Sequence, residues 1–218
     1  MKRFIDNRIL AACIRPQLPK WCGPTTVSEV LKVLLNKCCC PHEVAKSMGW
    51  TDETLIKGMG TKAVLDAVIK MSNHRLSYQI IKIKNSEDLW TSVIDGMKRK
   101  EVLYLHEKGH HVLILGYIEE PNFSFEDFEK GVDCKHSLPF KLHLTPSLHS
   151  DLANKIRPPS TSSTNLTTVK RKRYILKAEH NFKPCVYTQL IVERELETLA
   201  TELIENKDRL HLARIFTK

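Results

Sequence analysis

Cys22 stands where a cysteine becomes a nucleophile. The stretch Trp21-Cys22-Gly23-Pro24-Thr25-Thr26 runs directly into Val27, Val30, Leu31, Leu34 and Leu35, a spacing that predicts an amphipathic helix over about 22–36. The first-turn amides of a helix have no intrahelical partner, and the peptide dipoles place partial positive charge at that end. A thiolate there is stabilised and its pKa falls. Pro24 suits the first turn, where its missing N–H removes no helical bond. A cysteine in such a place is equally at home as a small buried hydrophobe, so chemistry at Cys22 requires partners.

Two candidate partners stand out. Gln17 lies five residues upstream, where its amide and the main-chain N–H of Cys22 could donate to one developing oxyanion, as acyl transfer requires. Far downstream, Gly109-His110-His111 leads into Val112-Leu113-Ile114-Leu115-Gly116-Tyr117. The aliphatic run predicts a buried strand over about 110–118, and a strand end is a rigid place from which to present a general base. An early cysteine and a distant histidine are the chain order expected when two subdomains meet at a cleft.

With these residues in view, the chain resembles the papain-like cysteine peptidases, most closely the double-glycine, bacteriocin-processing (C39-like) peptidases. The likeness rests on Gln17, on Cys22-Gly23-Pro24, and on Gly109-His110-His111 leading to Gly116-Tyr117. Between them, Pro41 to Gly49 and then Gly60-Thr61 leading through Leu65, Val68 and Ile69 are similar to the family's paired helices. The likeness covers about the first half of the chain and fades beyond Glu120. Two positions depart from the pattern. The family places its Gln six residues before the Cys, and it has an aromatic residue where this chain has His111. Counting back from Gly116-Tyr117 puts His110 at the position of the base. Alternation along a strand allows only one of His110 and His111 to face Cys22.

The resemblance implies an α+β fold in which a helical N-terminal subdomain packs on an antiparallel sheet or half-barrel, with the active site in the cleft between them. It implies Cys22 as nucleophile, His110 as base, Gln17 as oxyanion donor and an Asp on the hairpin beyond the histidine. Asp127 fills that last role by separation from His110, although Ser124 and Asp127 also read as a helix capping box. Glu179 is the rival if residues 121–172 are an insertion within the hairpin. The reaction expected is attack of the Cys22 thiolate on a carbonyl and release of a thioester by water, with no cofactor. An acyl or peptidyl transferase using the same nucleophile, and a non-catalytic interaction domain that keeps the fold, are the alternatives.

Composition bounds this reading. The 218 residues, 42% of them hydrophobic, are enough for one good core. No apolar run reaches the length of a membrane span, and Met1-Lys2-Arg3-Phe4 is followed by Asp6, Asn7 and Arg8 instead of an apolar signal core. A cytoplasmic location is therefore expected. The seven cysteines, an odd number that includes Cys38-Cys39-Cys40, fit a reducing compartment better than a disulfide framework. Cys38-Cys39-Cys40 with His42 lacks a second ligand pair at zinc spacing, so a loop ended by Pro41 is expected and no metal. The net charge is +9, with one dense cluster at Lys170-Arg171-Lys172-Arg173. No nucleic-acid motif accompanies that cluster, so it reads as a loop boundary and no specific nucleic acid is expected; a protein or peptide substrate is what the resemblance implies.

The elements that must position Cys22 and His110 follow from the pattern. Helices are predicted at about 22–36, 41–48, 61–71 and 86–97, the last capped by Ser86. Strands are predicted at about 76–83, 101–106, 110–118, 173–179 and 186–192. The whole reads as one papain-like domain with a helical part to about 100 and a strand-rich part over 101–192. Proline and Ser/Thr content mark 135–170 as a flexible inserted loop. Leu196, Leu199, Leu203 and Leu210 suggest a terminal amphipathic helix over 193–216.

Overall fold

Residues 22–35 become a helix because Val27, Val30 and Leu31 fall on one face and are fully enclosed, while Asn36 ends the helix in the left-handed region at φ 51°. The computed structural model describes residues 2–13, 20–107, 109–120, 172–178, 191–206 and 211–218. In chain order these form β1 (Lys2–Ile5), α1 (Asn7–Cys13), α2 (Cys22–Leu35), α3 (Pro41–Met48), α4 (Asp52–Lys57), α5 (Thr61–Met71), β2 (Leu76–Ile81) and α6 (Ser86–Lys98). They continue as β3 (Val102–Glu107), β4 (His110–Glu119), β5 (Arg173–Ala178), β6 (Ile191–Glu195), α7 (Leu196–Glu205) and β7 (His211–Thr217). The class is α+β. The sheet is open, with strand order β2-β7-β3-β4-β5-β6 and β1 added beside β4. Every pairing is antiparallel.

The strand β4 holds the sheet together. Its first residues pair with β3, in the register His106↔His111 and Glu107↔His110, and its last residues pair with both β1 and β5. Gly116 makes the β1 pairing possible: a Cβ there would lie 1.9 Å from the Phe4 carbonyl oxygen. Helices cover both faces. Thr61 at the start of α5 reaches His106 on one side of β3, while Gly96 in α6 lets Leu103 pack against it on the other. Residues 103 and 106 differ in parity, so α5 and α6 lie on opposite faces. α2 joins α5 on the first face and α7 joins α6 on the second.

Several expectations are corrected here. The segment 193–216 is not one helix. β6 ends at Glu195, α7 covers only 196–205, and His211–Thr217 is a strand inserted between β2 and β3. The leucines at 196, 199 and 203 do form a buried helical face, but Leu212, Ala213 and Ile215 are buried by pairing with distant strands, which a local periodicity does not encode. The cap of α6 is Asn85, whose side chain accepts from the Asp88 N–H at 2.8 Å; Ser86 is the first helical residue. β1, α1 and α4 were not anticipated. Residues 135–170, and the predicted strand as far as residue 190, lie outside the described residues. Cys40 caps α3: its sulfur accepts from Glu43 N–H at 3.4 Å, and Glu43 accepts from Cys40 N–H at 2.7 Å. Among the described residues, no helix is long and apolar enough to cross a membrane.

Candidate active site

Cys22 is the first residue of α2, and the first main-chain bond of that helix runs from Thr25 N–H to the Trp21 carbonyl at 3.0 Å. The amides of Cys22 and Gly23 precede it and remain free of helical partners. Gly23 packs tightly, since a Cβ at this position would lie 3.2 Å from Val64 and closer still to the Met59 methyl. That contact draws the mouth of α2 onto α5. The ring of Trp21, the residue just before the cysteine, packs against His42 at a tilt of 39°, with ring centres 4.3 Å apart.

The sulfur of Cys22 meets the turn between β3 and β4. It lies 3.9 Å from the carbonyl oxygen of Gly109, a residue at φ +79° where glycine is favoured. The next residue, His110, bonds the Cys22 thiol through its side chain. Burial raises the pKa of this thiol. That effect is outweighed by the His110 hydrogen bond, a main-chain hydrogen bond from His111, the charge of His110 and the Gly23 N–H, so the pKa lies below the ordinary thiol value. Cys22 is only 9% exposed, so these contacts act with little competition from water.

His111 does something different. Its ring is buried, with Nδ1 2.6 Å from the Tyr104 hydroxyl and Nε2 3.0 Å from the Met59 carbonyl. Both ring nitrogens are engaged, leaving neither to take a proton from Cys22. The geometry thus brings Cys22 and His110 together and turns the His111 ring to other partners. Gln17, Asp127 and Glu179 lie outside the described residues.

Behind the cysteine runs a column of imidazoles that the sequence reading missed. His111, His106 and His211 belong to the adjacent strands β4, β3 and β7, with successive ring centres 4.3 and 6.2 Å apart and nearly parallel planes. Thr61 Oγ1 bridges His106 Nδ1 at 2.9 Å and His211 Nδ1 at 3.0 Å. A two-residue hairpin turn at 108–109 would pair His106 with His111, so half of the column had a signal in His106-Glu107-Lys108-Gly109-His110-His111. His211 had none, because its place depends on a strand pairing across more than 100 residues.

Glu107, the register partner of His110, is also buried. Its oxygens are held by Lys177 Nζ and by Arg194 Nη1, the latter at 3.0 Å. Among the described residues no group of three or more His, Cys, Asp or Glu side chains is arranged to hold a metal ion. Comparison of this chain with protein-family models, with curated proteins and with solved structures finds no match.

Proposed function

We propose that this protein is a papain-like cysteine peptidase that hydrolyses peptide or isopeptide bonds with Cys22 as nucleophile and His110 as general base and acid. The observation that carries the reading is the hydrogen bond between His110 and a buried, acid-shifted Cys22 thiol at the start of α2. A thiolate paired with an imidazolium is the resting form of such a nucleophile.

In the proposed reaction the Cys22 sulfur attacks the substrate carbonyl carbon, forming the C–S bond, and the carbonyl oxygen takes the negative charge. The Cys22 N–H faces that oxygen from the helix mouth, with Gln17 as the second donor. Collapse breaks the C–N bond as His110 gives its proton to the leaving amine. Water then loses a proton to His110 and attacks the thioester, the C–S bond breaks, and the thiolate and imidazolium are restored. Asp127 is the proposed orienting carboxylate for His110. The site would occupy the cleft between the α2 mouth and the β3–β4 turn.

Labelling by electrophilic peptide probes and cleavage of a peptide library test this. Wild type is expected to be labelled at Cys22 and to yield products, and Cys22→Ala to do neither. Unchanged cleavage by Cys22→Ala would overturn the assignment.

A further inference from the structure

His111 follows His110 directly, yet it is only 1% exposed and every polar group it carries is engaged. Its main-chain N–H bonds the Cys22 sulfur, and its carbonyl accepts from Thr26 Oγ1 at 2.9 Å. Its ring lies between the Tyr104 hydroxyl and the Met59 carbonyl, at 2.6 and 3.0 Å. The tautomer follows from these partners. A carbonyl only accepts, so Nε2 carries the proton, and Nδ1 accepts the Tyr104 O–H. His106 stacks on the ring at 4.3 Å with the planes 9° apart, blocking a tilt.

The anchors come from separate elements. Thr26 belongs to α2, Tyr104 to β3, and Met59 to the segment just before α5. Thr26 is four residues beyond Cys22 on the same helical face, so its bond to the His111 carbonyl ties the first turn of α2 to β4 beside the sulfur. We infer that His111 is the positioning residue of the Cys22–His110 pair: its locked ring fixes the start of β4, aims the His111 N–H at the sulfur and holds His110 at the thiol.

The ring itself contributes no charge. Burial, then the neighbouring His106, push its pKa down to about 3, so it is neutral across the range in which a thiol titrates. The other titratable groups are His110 on β4 and Tyr104 on β3 beside the thiol, and His106 on β3 against the His111 ring. The consequence for turnover rests on the proposed peptidase reading, whereas the effect on the thiol does not.

The test is the rate of Cys22 alkylation by iodoacetamide from pH 5 to 10 on the full chain, read at Cys22 by peptide mass spectrometry. His111→Phe keeps a flat ring without hydrogen bonds, Tyr104→Phe removes one hydroxyl, and His111→Gln restores a donor towards the Met59 carbonyl. A tenfold change in rate at acid pH corresponds to one pKa unit. At pH 6 the Cys22 rate is expected to fall about tenfold in H111F and about threefold in Y104F, with recovery in H111Q and unchanged rates at pH 10. Folded variants that melt earlier but retain the wild-type pH–rate curve would overturn the inference. If H111F does not fold, Y104F decides by the same criterion. Parallel peptide assays separate the two ideas: a wild type that cleaves nothing, with a thiol still sensitive to His111, would sink the peptidase reading and leave this one standing.

Discussion

The two faces of β3 bury polar side chains by opposite means. On the His106 face the groups are imidazoles stacked across three strands and linked by hydroxyls and carbonyls. On the Glu107 face they are ions: Glu107 is held by Lys177 and Arg194, and Arg194 continues to Glu202 on α7 at 2.9 Å. Neutral hydrogen bonds are directional and bring no competing charge, which suits the side on which His111 anchors α2; His110, the register partner of Glu107, starts from the other side at the first residue of β4. A carboxylate left bare near Cys22 would raise the thiol pKa; two cations neutralise Glu107 instead. The ion cluster joins β3, β5, β6 and α7, and its part is cohesion.

If that division is correct, breaking the ionic side changes stability and leaves the thiol alone. Glu107→Gln removes the buried carboxylate that Lys177 and Arg194 share, so denaturant unfolding should show a loss of about 3–5 kcal/mol. The Cys22 alkylation midpoint should stay where it is. A shifted midpoint in the folded variant would join the two faces functionally and break the comparison.

Acid separates the faces in a second way. Burial is the main cause that holds both His106 and His111 below the ordinary imidazole pKa, His111 at about 3. The unfolded chain takes up these protons near pH 6.5. Below that pH the unfolded state therefore binds more protons, and stability falls as pH drops, by about 1.4 kcal/mol per pH unit for each proton of difference. Urea unfolding between pH 7 and 5 should show this decline, and His106→Phe should make it shallower. An identical slope in the variant would remove His106 from the account.

The smallest effect is expected at Thr61. Thr61→Ala deletes the hydroxyl between two imidazoles and should lower stability by about 1–2 kcal/mol by the same unfolding measurement. No loss would mean that the stacked rings hold themselves.

Much of the first face was readable from residue order. The apolar spacing in α2, the Gly60-Thr61 start of α5 and the aliphatic run of β4 are local patterns, and each element lies within a few residues of its expected span. The proximity of Cys22 and His110 was inferred from motif and resemblance together. What local patterns could not reveal was pairing over distance. β7 follows α7 in the chain but lies between β2 and β3, so His211 and the Thr61 bridge were invisible. Nothing local in the sequence marks Glu107 as buried, because Lys177 and Arg194 reach it only after β5 and β6 are in place. Gly116 carried a signal for β1 that was not used: a glycine inside an aliphatic strand marks a close backbone approach.

The most direct test of the central claim is the pH dependence of Cys22 alkylation in wild type and in His110→Ala. The account predicts a wild-type midpoint below the roughly 8.5 of a free thiol, moving upward when the imidazole is removed. A wild-type midpoint at or above that value, unaffected by the loss of His110, would contradict it.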